Sequence, residues 1–584
     1  MKTTERRTEL RTWRFVVDQN DIGEEFGWHK PEYDHDRWME VEAYRSWETY
    51  DLAMADYEGP GWYHTTVRAP ASDKRLVLHF DGIGGIAKVF VNGDLAGETD
   101  NRYLPFDVDA TPFLQPGQDA AVTVKVDNSY QGRDHLTGGK NIEWVLYGGL
   151  THHVYAEERE LCRISHLCIR AQADGTATVE ATVENALLIP FLGTVKLEMP
   201  EQTLEEKVTV KAGGIQLVTF DCKAADVKPW SPDDPNLYCC KAELCVLGKA
   251  VHTAEERFGY RTIEVRGTEI FLNGEKLKLR GSNRYDEYAP YGNCAPEALI
   301  REDLLDMKRC GMNLIRTHYP QDPIHYEIAD EIGLMYMIEV PLNWWNPIKP
   351  ETAEDFAAMD WTPLRAQATD TLDRTWQNYC NHPCWVIWST SNECSHSNPT
   401  CRAMFEMLAD RMRSYRPGRL ITTVTNKPIL DSEELAYCDF ISMNYYSGVI
   451  CDSTAEYPEA IEGTLRDKLA NAQKLYPDKP HVITEFGYPC VAGMRGSPTE
   501  GRFTEDFGAT YFKASSEEMM RDPQMQGLIT WCWADYRHRR GFISAGRKKL
   551  GFNATYGPYG IVTMDRKTKT VVYDAVWEIF RKFR

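Results

Sequence analysis

The chain has 584 residues, a net charge of −21, 42% hydrophobic residues and 26% charged ones. Those values describe a globular protein of several domains, and the acidic balance argues against a nucleic-acid surface. The N-terminus MKTTERRTELRTW lacks an apolar segment and no run of about 18 apolar residues occurs, so neither a secretory leader nor a spanning helix is expected and a cytoplasmic location is.

Residues 1–157 hold short alternating runs broken by Gly, Asn, Asp and Pro, among them RLVLHFDGI, AKVFVNGDLAG, AAVTVKVDN and LTHHVYAEE. Period-two alternation with frequent turn residues predicts an antiparallel sandwich. Residues 158–264 repeat the style in ATVEATVENA, GTVKLEMPE, EKVTVKAG and KAELCVLG, at a length that suits an immunoglobulin-like sandwich. The two sandwiches are expected to brace the C-terminal region and to mediate self-association into a homo-oligomer.

From residue 265 to 584 the rhythm changes. Eight apolar runs (KLKLRG, MNLIRT, LMYMIEV, CWVIWST, RLITTVT, DFISMN, HVITEF and LITWCW) alternate with stretches of helical length. In MFEMLADRM, for example, Met404, Leu408 and Met412 share one helical face. Eight strands with intervening helices predict a (β/α)8 TIM barrel.

In such a barrel, chemistry collects at the C-terminal ends of the strands. The first run leads into Asn283-Arg284-Tyr285-Asp286-Glu287, the second into Arg316-Thr317-His318-Tyr319, and the fourth into Asn392-Glu393. The sixth is followed by Asn444-Tyr445-Tyr446, the seventh reaches Glu485, and the eighth ends in Trp531-Cys532-Trp533. Alone, a glutamate after a strand is ordinarily a loop ion pair, a histidine a hydrogen-bonded structural group, and a tryptophan core. Together they are hard to obtain from packing alone. Two carboxylates across one barrel mouth suit glycoside hydrolysis, with aromatic rings for sugar C–H faces and Asn or His for hydroxyls.

The ordered set PGWYHTTV, KVFVNG, YGGLTHHV, FGYRTIEV, LNGEKLKLRGSNR, NHPCWVIWSTSNE and ITEFG resembles glycoside hydrolase family 2 over nearly the whole chain. The resemblance implies that the first sandwich is a sugar-binding-like jelly roll and that the chain is a retaining β-glycosidase with Glu393 as acid/base and Glu485 as nucleophile. It further implies that Asn392 binds the sugar 2-hydroxyl, that Tyr446 bonds the nucleophile, that Trp531 is a platform under the sugar, and that His318 binds a hydroxyl. The chain departs from the family where RTHYP stands for the usual RTSHYP and where Tyr285-Asp286 follows the strand-one Asn-Arg, which makes Asp286 the candidate substrate contact on that loop. An Asn-x-Lys carboxylate clamp is not evident; the chain reads GFNATYGPYGIVTMDRKTK there.

Six of the thirteen residues in RHRRGFISAGRKK, 537–549, are Lys or Arg, and none is acidic. A guanidinium fork there, Arg537 first, suits a uronate carboxylate. The expected substrate is therefore a terminal β-glucuronide or β-galacturonide, with a neutral β-galactoside as runner-up. A carbohydrate-binding protein with an inactive barrel is the alternative of another class. The 16 cysteines form no CxxC pair and lack histidines at ligand spacing, so no metal or other cofactor is expected.

Overall fold

The computed structural model describes residues 1–71, 73–129, 136, 144–345, 360–448, 461, 463–539 and 556–584. Its N-terminal sandwich packs a six-stranded antiparallel sheet against a four-stranded one. In the larger sheet, Pro60–Arg68 pairs with Asp119–Asp127 over nine residues, Trp62 opposite Lys125 and Tyr63 opposite Val124. The inward residues Trp13, Phe15, Trp47, Tyr63, Val89 and Val124 fill the space between the sheets, as alternation requires.

The second sandwich sets three strands (Cys162–Ala171, Thr176–Asn185, Gly214–Lys223) against a five-stranded sheet. Lys2–Thr3 joins that five-stranded sheet by pairing with Glu255 and Ala254, so the first residues of the chain extend the second sandwich. Glu5 anchors the crossing through Arg163, at 3.0 Å and 3.2 Å.

The third unit is a closed eight-stranded parallel barrel. Its strands are Leu279–Asn283, Leu314–Thr317, Met335–Glu339, Trp385–Asn392, Leu420–Thr425, Ile441–Asn444, His481–Glu485 and Met525–Thr530. All eight expected strands are present. The first starts later than its apolar run, because Glu275–Lys276 turns back to pair with Leu272 and Phe271 under the barrel. Strand four is buried along all eight residues, as a strand covered on both faces must be. Some of the helices start on a side-chain cap. Asn398 accepts from the N–H groups of Thr400 and Cys401 to cap Pro399–Ser414, and that helix buries Met404, Leu408 and Met412.

The sandwiches grip the barrel through polar groups at strand edges. Asn381, below the foot of strand four, donates to Leu167 O at 2.7 Å and accepts from Ile169 N at 2.8 Å, closing the exposed edge of Cys162–Ala171. From the first sandwich, Leu136 O accepts from the Trp345 indole at 3.1 Å and from Asn343 N at 3.3 Å, beyond the tip of strand three. No helix among the described residues is long and apolar enough to cross a membrane.

Candidate active site

Glu485 is the last residue of strand seven and is buried. Its Oε1 accepts from Arg316 Nη1 at 2.6 Å and its Oε2 from the Tyr446 hydroxyl at 2.7 Å. His318 Nε2 stands 3.7 Å from Oε1. Glu393 follows strand four with φ of 52°, the left-handed region that a non-glycine residue occupies at a cost of order 1–3 kcal/mol. That turn lets its N–H bond Val424 O at 2.9 Å and directs its carboxyl to neutral donors. Asn444 Nδ2 gives to Oε1 at 2.7 Å; Asn426 Nδ2 and the Trp344 indole give to Oε2 at 2.6 and 3.0 Å.

One hydrogen-bonded network joins the two carboxyls. Asn392 Oδ1 accepts from Arg316 Nη2 at 2.9 Å and from Asn444 Nδ2 at 3.1 Å, while Arg316 reaches Glu485 through its other nitrogen, Nη1, and Asn444 Nδ2 also reaches Glu393. The Asn392 amide donates onward to Asn343 at 2.6 Å, which fixes its orientation. Arg316 also gives Nη2 to Glu339 at 2.9 Å, and Glu339 in turn lies 2.9 Å from His318 Nδ1 and accepts from Ser389 at 2.9 Å. A carboxylate can only accept, so this contact places a proton on His318 Nδ1 and leaves Nε2 facing the site.

Burial raises the pKa of both Glu393 and Glu485, and the Glu393 charge raises that of Glu485 further. For Glu485 the Arg316 guanidinium opposes that rise most strongly; for Glu393 the Asn444 amide and the Trp344 indole do. Two buried carboxyls that repel one another resist joint ionisation. The direct ion pair with Arg316 favours charge on Glu485. Glu339 is held below the ordinary carboxyl range, because Arg316 and His318 outweigh its burial.

The other expected residues fall into layers. Trp531 is buried at the end of strand eight; its indole donates to the Tyr536 hydroxyl at 3.1 Å, and its ring lies 5.3 Å from that of His318. Asp286 sits one layer out, accepting from Tyr319 at 2.8 Å. Arg537 turns the other way. Its guanidinium donates to Ala55 O and Asp56 at 2.8 and 2.9 Å, while its N–H bonds Glu287 at 2.8 Å. Arg539 likewise forks onto Glu58, at 2.7 Å through each nitrogen. Residues 540–549 of the basic segment lie outside the described residues.

Several participants were not singled out from the sequence. Arg316, in strand two, and His318, just past its end, are two apart and so share one face, and that spacing was a usable signal for Arg316. Glu339, at the tip of strand three, was open to the same argument. Asn426, Trp344 and Lys468 gave no local signal. Neither did Tyr103 and Trp144 of the first sandwich: Trp144 stacks on His318 at 5.5 Å and 18°, and Tyr103 stacks on Tyr319 at 4.5 Å. The first sandwich thus forms part of the aromatic wall beside His318.

A closed barrel with two buried, hydrogen-bonded glutamates at its C-terminal mouth, joined to two β-sandwiches, is the architecture of a glycoside hydrolase. The chain belongs to glycosyl hydrolases family 2. The family's TIM barrel domain matches residues 263–579, its galactose-binding domain-like unit 47–164, and a further family 2 domain 162–261. A β-glucuronidase of Paenibacillus borealis is 26% identical over 570 residues, covering 92% of each chain. A β-galactosidase of Thermoanaerobacter pseudethanolicus is 28% identical over 510 residues, 84% of this chain and 62% of that one. Two solved structures share the fold: a family 2 β-galacturonidase of Eisenbergiella tayi bound to galacturonate and a β-glucuronidase of Ruminococcus gnavus with D-glucuronic acid. Their TM-scores are 0.85 and 0.84 at 22% and 21% identity; each covers 99% of this chain, and 98% of the other chain is matched.

Proposed function

We propose that the chain is a retaining exo-β-glycosidase acting on terminal β-hexuronides. The observation that carries the mechanism is the unequal setting of the two glutamates. Glu485 is ion-paired to Arg316, while Glu393 receives amide and indole donors. Glu485 attacks the anomeric carbon as Glu393 gives its proton to the glycosidic oxygen, and a covalent glycosyl-enzyme forms as the aglycone leaves. Esterification removes the Glu485 charge, so the Glu393 pKa falls and Glu393 takes a proton from the incoming water. That water attacks the same carbon and frees Glu485, with the anomeric configuration retained. Double displacement needs carboxyls about 5–5.5 Å apart. Asn392 meets the 2-hydroxyl, His318 Nε2 a second hydroxyl, and Trp531 the apolar face of the ring.

The uronide preference is supported by the substrates named for the Paenibacillus, Eisenbergiella and Ruminococcus proteins. The engagement of Arg537 and Arg539 by Asp56 and Glu58 favours a second reading, a neutral β-galactosidase, which is the activity named for the Thermoanaerobacter relative. Nitrophenyl β-glucuronide, β-galacturonide and β-galactoside, assayed side by side with Glu485→Gln as control, decide between them. Turnover of a uronide with little of the galactoside is expected; turnover of the galactoside alone overturns the uronide reading.

A further inference from the structure

Lys468 lies on the helix Thr464–Leu475, outside the ring of strand ends, and the double displacement does not use it. The side chain is half-buried, and its Nζ reaches over the barrel rim to donate to Asn444 O at 2.8 Å. Among the described residues that carbonyl is its one hydrogen-bond partner, and no carboxylate pairs with it. Asn444 is the residue whose side chain holds Glu393 Oε1, and its Oδ1 accepts from Thr484, the neighbour of Glu485, at 2.8 Å. The strand-six tip that Lys468 grips therefore touches both halves of the site.

We propose that Lys468 is a positioning residue of the acid/base: it fixes the Asn444 tip and supplies a cation on the Glu393 side of the site. The proposal rests on the reading of Glu393 as acid/base. A carboxyl with three neutral donors still needs a counter-field to ionise once the glycosyl-enzyme has formed. Among the described residues, these charged and polar groups face it. Arg316 from strand two is shared with Glu339 and Glu485, so its charge is largely matched. Glu485 and Tyr446 present an anion and a hydroxyl; Asn426, Asn444 and Trp344 are neutral; His318 is held by Glu339. Arg316 and Lys468 are the two cations whose charge favours the ionised form of Glu393, Arg316 the more strongly, and among the described residues no carboxylate pairs with Lys468. Burial brings its pKa down to about 8, against the pull of Glu393. A lysine tied to a carboxylate elsewhere would behave oppositely.

The test is the pH profile of kcat/KM for Lys468→Met, Lys468→Gln and Lys468→Arg. Glutamine keeps a donor for Asn444 without the charge, and arginine keeps the charge. Loss of the cation makes Glu393 hold its proton to higher pH, so the basic limb moves upward by about half a unit or more in the two neutral variants. Arginine leaves it near the wild-type position. Glutamine carries the test if methionine fails to fold, as thermal melts report. An unmoved basic limb in the folded neutral variants overturns the proposal. Glu393→Ala with added azide separates the two failures: formation of a β-glycosyl azide upholds the acid/base reading whatever Lys468 does, and its absence removes that reading itself.

Discussion

Arg316 Nη1 meets Glu485 Oε1 at 2.6 Å inside a barrel where neither side chain touches solvent appreciably. A buried ion pair of this kind is costly to break, because the partner left behind keeps its charge in a poor solvent. Arg316 answers two carboxylates at once, and that division requires a planar fork. Lysine offers a point charge that cannot serve Glu339 and Glu485 in the same geometry. Arg316→Lys is expected to fold and to lose about 10²–10³ in kcat with a smaller change in KM, the scale of removing one directed donor from a developing charge. Arg316→Met strands both carboxylates and should cost about 3–5 kcal/mol of stability as well. Steady-state kinetics with thermal melts separates the two effects.

Glu339 makes the opposite prediction. It competes with Glu485 for Arg316 and adds a negative charge nearby. Glu339→Gln removes the competitor, so the Glu485 pKa falls and the acidic limb of kcat/KM moves to lower pH. The same change loosens His318, whose Nδ1 has Glu339 as its anchor, and a loss of about tenfold in kcat/KM is expected from that. A pH–rate profile that keeps its acidic limb in place argues against the division of Arg316 between the two acids.

The barrel was legible because its strands obey a simple rhythm: an apolar run, then a polar tip. Glu393 and Glu485 stood out as tips without packing roles, and the family motifs around them assigned the pair. What escaped notice acts over distance in the chain. Arg537 looked aimed at the mouth because it leaves strand eight, yet Asp56, hundreds of residues earlier, turns its guanidinium toward the first sandwich. Trp144 follows a stretch with no strand rhythm and takes its place only because His318 and Tyr285 offer it faces. Lys468 sits on a helix face that periodicity alone assigns to ordinary packing or solvent. Local pattern sets which elements form; the side chains that cross between domains are chosen by surfaces that exist only after folding.

Trp144 gives a direct measure of that crossing. Its ring lies 5.5 Å from His318 and 5.6 Å from Tyr285, and its burial in the wall depends on the docked first sandwich. Trp144→Ala removes a flat apolar face without touching either glutamate. KM is expected to rise by about tenfold with kcat changed little, which corresponds to about 1.4 kcal/mol of binding. A fall in kcat with KM unchanged would assign the residue to the chemical step instead.

Stability should fall as the solution becomes alkaline, because four buried carboxyls hold protons in the folded state. Burial raises Glu48 to about 8 and Glu287, Asp322 and Asp535 each to about 7. In the unfolded chain such groups titrate near about 4. Above that pH the folded protein binds protons that the unfolded chain has released, and stability declines until the folded pKa values are passed. Histidines work in the other direction at lower pH: burial drops His64, His152 and His396 to about 4 from 6.5, so their contribution grows with pH and is complete near 6.5. The decline is therefore cleanest between about pH 6.5 and 8.5. Glu48 is the best single probe, since its carboxyl accepts from Gly148 N at 3.0 Å and Asn128 Nδ2 at 3.1 Å, contacts that a glutamine oxygen also satisfies. Glu48→Gln should melt above wild type already at pH 6, by a margin that widens toward pH 8.5. A melting temperature that rises across this window in the wild type, or a variant that parallels it throughout, would show that Glu48 is ionised in the folded protein at neutral pH.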